Sequence, residues 1–143
     1  MQRRFIIIGL AILAFRANAE PATHAGFIRS WDAASLKRGE EVYRGRGLCI
    51  TCHGDLTHPP PLAQAQLFQR DPLKGGKDPV AMYNAITEGY GLMPGQPKLT
   101  PRDAYDAIQY TREVLIKGRN PSQYFAITDE YLKKLPADDL NEN

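Results

Sequence analysis

Apolar positions along this 143-residue chain are clustered, and within most clusters their spacing is helical. Leu36, Gly39, Val42 and Tyr43 share one face, and Gly39 leaves a gap there where a second helix can approach. From Asp78 to Gly89 the punctuation predicts a helix, with Asp78 as N-cap, Pro79 at the first helical position and Gly89 just past the end. Thr100-Pro101-Arg102-Asp103 has the form of a capping box, a hydroxyl followed three residues later by a carboxylate, with proline where its missing N–H costs nothing. Ala104, Ile108, Thr111 and Leu115 continue at helical spacing with Tyr105 alongside, and Gly118 is the expected stop. Residues 63–77, with Gln64, Gln66, Gln69 and Gly75-Gly76, are polar and aperiodic, and are expected to pack irregularly. Beyond Asn120-Pro121, Thr128 or Asp129 is placed to cap a short helix carrying Tyr131 and Leu132. The apolar residues of this tail are expected to dock on the domain; the alternative is that Tyr124 and Phe125 form a patch for a partner.

The first apolar run is of another kind. Phe5 to Phe15 carries no charge, Arg3 and Arg4 precede it, and the small-x-small site Ala17-Asn18-Ala19 follows. These are the parts of a secretory signal peptide over residues 1–19, with cleavage expected before Glu20. A helix needs about twenty apolar residues to span a bilayer, so no membrane span is expected after cleavage, and the protein is expected to be periplasmic or otherwise exported. The arginine pair lacks the polar flanks of a twin-arginine signal, which favours a general export route.

Composition changes meaning once this leader is set aside. The whole chain has 18 basic and 16 acidic residues, a formal charge of +2. The mature chain from Glu20 has 15 and 16, a charge of −1. Residues 30–120 carry +2, and residues 121–143 carry −3. No Lys/Arg block exceeds two residues, so nucleic acid is excluded as a partner. A hydrophobic fraction of 43% excludes a disordered chain.

Cys49 and Cys52 are the only cysteines. In an exported protein they would ordinarily suggest a disulfide, but a bridge across two residues closes so short a loop that it would be a poor staple. A thioredoxin-like pair would need a strand before it and a helix after it; here a helical segment precedes, and Gly54-Asp55 and Pro59-Pro60-Pro61 follow. Zinc lacks a fourth ligand at the usual spacing, with only His24 and His58 to spare. With His53 the run Cys49-Ile50-Thr51-Cys52-His53 is C-x-x-C-H, the attachment signature of one covalent haem c. Two thiols add across the vinyl groups of one porphyrin edge, and the next residue presents an imidazole to the iron, so all three must share a tight helical turn.

The second axial ligand is sought among few residues. Met82 lies in the helix after Asp78 and suits a core position. Met93 lies in Gly89-Tyr90-Gly91-Leu92-Met93-Pro94-Gly95, where glycines let backbone approach a flat cofactor and Pro94 holds the extended chain that aims the thioether. His58, five residues after His53, would struggle to reach the opposite face, and His24 sits near a frayed N-terminus. The expected metal ligands are therefore His53 and Met93.

With these residues in order, the chain from Ala33 to Lys117 resembles the small monohaem class I cytochromes c. The resemblance rests on the helix with Gly39 and Tyr43, on Cys49-Ile50-Thr51-Cys52-His53-Gly54, on the prolines from Pro59, on the methionine segment Ile86 to Pro94, and on a final helix with Tyr105, Ile108, Tyr110 and Arg112. It implies an all-α fold of helices wrapped around one haem, a domain over 33–118, an N-terminal extension over 20–32 and an acidic C-terminal extension over 119–143. It implies that Tyr110 crosses at the Gly39 gap. It also implies that a proline carbonyl from Pro59, Pro60 or Pro61 accepts the other ring N–H of His53.

The function expected is one-electron transfer in a periplasmic respiratory or dehydrogenase-linked chain. Redox partners would be a quinol-oxidising complex, a periplasmic dehydrogenase or a terminal oxidase. No acid, base or nucleophile is required, so an electron-transfer protein rather than an enzyme is expected. The alternatives are a haem sensor in which Met93 is displaced, or a tethered electron-transfer subunit of a larger oxidoreductase. Lys74, Lys77, Lys98 and Arg102 would form a basic patch beside the methionine segment.

Overall fold

The computed structural model describes residues 22–140, so the signal peptide and its cleavage site lie outside the described residues. Six α-helices follow one another: α1 (His24–Arg29), α2 (Ala33–Arg44), α3 (Ile50–His53), α4 (Pro79–Thr87), α5 (Pro101–Tyr110) and α6 (Asp129–Lys133). A two-strand antiparallel hairpin, β1 (Gly89–Tyr90) and β2 (Met93–Pro94), interrupts them, with Gly89 opposite Pro94 and Tyr90 opposite Met93. The all-α expectation is corrected to that extent. Gly89 and Gly91 have φ of 90° and 60°, which lets so short a segment reverse.

Helix starts follow the sequence. Asp78 accepts from the N–H groups of Val80 and Ala81, with Pro79 opening α4. Thr100 and Asp103 form the reciprocal capping box of α5. Asp32 and Ser35 form a second one at α2. Thr128 caps α6. The end of α5 departs from expectation. Thr111–Ile116 is π-helical, with the Lys117 N–H donating to the Arg112 carbonyl five residues back, and the helical run closes in a turn at Lys117 to Arg119.

Helices α2 and α5 make the most extensive helix contact, and Gly39 explains it: a Cβ there would lie 1.9 Å from the Asp106 carbonyl oxygen and 3.1 Å from the Tyr110 Cβ. The crossing is pinned by polar pairs as well. Ser35 donates to Gln109 Oε1 at 2.7 Å, Gln109 Nε2 donates to the Asp32 carbonyl at 3.0 Å, and Arg38 pairs with buried Asp106 at 2.7 Å. On the other side of α5, Phe27, Ile28, Met82, Tyr105, Ile108 and Ile116 form a core that the tail closes with Leu132 and Leu140. His24 opens α1 and is buried, its Nδ1 hydrogen-bonded to the Tyr105 hydroxyl.

The tail docks on the domain. Tyr124 donates to Glu113 Oε1 at 2.5 Å and covers the Arg112 guanidinium at 4.8 Å, and Phe125 meets the Tyr131 ring at 4.9 Å. Arg112 is 1% exposed, also lies over the Trp31 ring, and donates to the carbonyls of Phe125 and Lys77. Among the described residues no helix is long and apolar enough to cross a membrane.

Candidate functional site

A cavity of about 500 Å³ opens between α3, α4, α5, the hairpin and the loop 62–76. Cys49, Cys52, His53 and Met93 all line it, so the structure brings together the four residues read from the sequence. Met82 and Ile86 from α4, with Ala107 and Thr111, give it a largely apolar wall.

Local chemistry explains how α3 presents its residues. Leu48, at φ 53°, turns the chain sharply after α2, and the single helical turn Ile50–His53 follows. Gly54 ends it at φ 63°, ψ −161°, a conformation closed to residues with a side chain, and a Cβ there would lie 2.3 Å from the His58 carbonyl oxygen. The Tyr43 hydroxyl donates to the Gly54 carbonyl at 2.7 Å, fixing the end of the motif to α2. Beyond it, buried Asp55 accepts from the N–H groups of Thr57 and His58 and from Arg44. Burial alone would raise this carboxyl, but those hydrogen bonds outweigh it and hold it well below the usual carboxylate range.

His53 is half-buried, and burial lowers its pKa, favouring the neutral imidazole that binds metal. Its Nδ1 lies 2.8 Å from the Gln66 carbonyl oxygen. A carbonyl only accepts, so Nδ1 carries the proton and Nε2 keeps its lone pair. This corrects the expected partner: the acceptor is Gln66, not Pro59, Pro60 or Pro61. The prolines sit in the turn after Gly54, whereas the 63–77 segment returns beneath the imidazole. Phe68 from that segment stacks on the His53 ring at 4.6 Å and 24°. Burial pushes the Cys49 thiol up to about 11.

The rival ligands fall in different places. His24 and His58 do not line the cavity, and His58 is bonded to Asp55. Met82 does line it, yet is 9% exposed and packed into the core around Tyr105, as its helical position suggested. Met93 stands on β2, half-buried, outside the helical core. Among the described residues no three His, Cys, Asp or Glu side chains gather to hold a metal ion by themselves.

The hairpin and the loop 62–76 meet at a seam. The Tyr90 ring lies against Gly75, where even a Cβ would come within 3.4 Å, and the Tyr90 hydroxyl donates to the Lys74 carbonyl at 3.0 Å. Leu92, at the tip, is 85% exposed. Lys74, Lys77, Lys98 and Arg102 are exposed as well; Lys77 donates to the Ser122 carbonyl and Arg102 lies over the Phe27 ring.

A family model described as cytochrome c oxidase, cbb3-type, subunit III matches residues 34–110, more than half of the chain. The chain belongs to this family of cytochrome c domains. No curated protein and no solved structure matches it. Cytochrome c domains of this class carry covalently bound haem c and transfer electrons rather than catalyse reactions. The donor set fits such a group: two thiols one helical turn apart, an imidazole whose Nε2 is left available, a thioether and an apolar wall.

Proposed function

We propose that the protein is an exported monohaem cytochrome c that relays single electrons in a periplasmic respiratory or dehydrogenase-linked chain. Cys49 and Cys52 would hold the porphyrin by thioether bonds, and His53 Nε2 and Met93 Sδ would bind its iron. Bound there, haem c supplies one iron that alternates between ferrous and ferric states. The Gln66 carbonyl orients His53 and raises its basicity, the thioether favours the ferrous state, and the apolar wall keeps water from the metal. The observation that carries this reading is the convergence of Cys49, Cys52, His53 and Met93 on one cavity.

A second reading is favoured by the family description, which names an oxidase subunit. The chain would then pass electrons within a complex rather than diffuse between complexes.

Mass and absorption spectra of protein expressed with haem-maturation machinery test the site. One haem of added mass on a chain beginning at Glu20 is expected, with the weak long-wavelength band of thioether-ligated ferric haem. Met93→Ala should abolish that band and let the ferrous form bind carbon monoxide, while Met82→Leu keeps the band. Loss of the band in Met82→Leu alone would transfer the ligand role to Met82. An unmodified mass would refute covalent attachment. Co-purification with membrane subunits separates the two settings.

A further inference from the structure

The family match ends at residue 110, yet the loop that holds His53 in place is itself held by residues beyond that point. We propose that the segment around Asn120 to Gln123 is a brace for the histidine ligand, acting through residues 66–73; this rests on the His53 assignment above. Asn120 is 8% exposed, and its Nδ2 donates to the carbonyls of Phe68 at 3.1 Å and Asp71 at 2.9 Å. Gln123 Oε1 accepts the Leu73 N–H at 3.0 Å.

The braced loop has no helix or strand to fix it. It closes on itself by a tight turn, with the N–H groups of Asp71 and Arg70 donating to the Leu67 carbonyl at 2.8 and 3.1 Å and the Asp71 carboxylate accepting the Leu67 N–H at 2.9 Å, and by Gln66 Nε2 donating to the Pro72 carbonyl. Turns of this kind open easily unless their remaining carbonyls are tied down. One tied carbonyl belongs to Phe68, whose ring stacks on His53, and it lies two residues after Gln66, which accepts the His53 ring N–H; the other, that of Asp71, holds the far side of the turn. Asn120 therefore sets the orientation and basicity of the imidazole without touching it, as a positioning residue.

The test uses the haem-loaded full-length protein. Asn120→Ala is expected to keep one haem per chain, to speed exchange of the His53 ring N–H at least tenfold, and to shift the reduction potential upward, because a weaker hydrogen bond makes imidazole a poorer donor to ferric iron. Gln123→Ala should move both readouts in the same direction by less, and decides the matter if Asn120→Ala does not accumulate. Lys134→Ala, on the same tail but with its side chain bonded to Glu130 away from the loop, should move neither. A lowered melting temperature with unchanged exchange and potential in Asn120→Ala would reduce the segment to a stabilising tail and overturn the brace. Equal shifts in Lys134→Ala would do the same. Protection of the Asp71 amide reports the loop whether or not haem is attached, so a failed haem assignment and a failed brace give different records.

Discussion

At the scale of single residues, the cavity wall is built from the side chains of Cys49, Cys52, His53 and Met93 together with one backbone carbonyl, that of Gln66, which fixes the His53 ring. Cys49, Cys52 and His53 announce themselves by type and spacing, and Met93 by its glycine and proline neighbours. The Gln66 carbonyl is invisible, because every residue has one and the segment around it has no period. His24 shows the reverse case, a residue whose type is informative but whose place at the chain's start concealed its burial. Burial lowers its pKa against the opposing influence of Asp138, so folding favours its neutral form beside Tyr83 and Tyr105. Unfolded, it takes up a proton as pH falls below about 6.5, so its contribution to stability is complete above that value and declines below it. Unfolding free energies from denaturant titrations between pH 7.5 and 5.5 should fall, with a His24 share of no more than about 1.4 kcal/mol per pH unit, and His24→Phe should flatten that limb. An acid limb unchanged in His24→Phe would assign the loss to other groups.

Among the elements, the capping residues of α4, α5 and α6 and the Gly39 gap were readable because each has a local signature. The hairpin was not, since two residues per strand leave no alternation to detect. Nor was the π-helical end of α5, because six residues cannot separate a period of 3.6 from a longer one. The Ser35–Gln109 pair spans 74 positions and has no local trace at all. Gly39 offers the sharpest test at this scale. Alanine is a better helix former than glycine by about 1 kcal/mol, so an isolated α2 would gain from Gly39→Ala. In the protein the new methyl would collide with the α5 backbone, which cannot rotate away as a side chain would. Net destabilisation of roughly 1–3 kcal/mol is expected from the shift forced on α5, measured by thermal unfolding of the haem-loaded protein. An unchanged or raised melting temperature would show the crossing to be slack.

For the molecule as a whole, the core is not one mass but clusters arranged about a cavity, with Tyr43, Tyr110 and Leu115 in one and Phe27, Tyr105 and Ile108 in another. Whatever fills the cavity is thus part of the core, which couples folding to cofactor attachment. The acidic tail lies on the basic module rather than apart from it, with Lys77 donating to the Ser122 carbonyl, and Lys74 stands exposed on the cavity wall where a partner's charge can meet it. The seam at Tyr90 has a kinetic meaning. It joins the hairpin to the loop 62–76 through a latch of one exposed hydrogen bond, contributing about 0.5–1.5 kcal/mol. With Met93 on the iron, as proposed, cyanide must displace the thioether, so the hairpin that pairs Tyr90 with Met93 is its doorway, and the latch sets how readily that hairpin moves. Tyr90→Phe removes the latch and keeps the ring, and should speed cyanide binding by roughly 2- to 12-fold at an unchanged reduction potential; stopped-flow traces showing the same rate would place the doorway elsewhere.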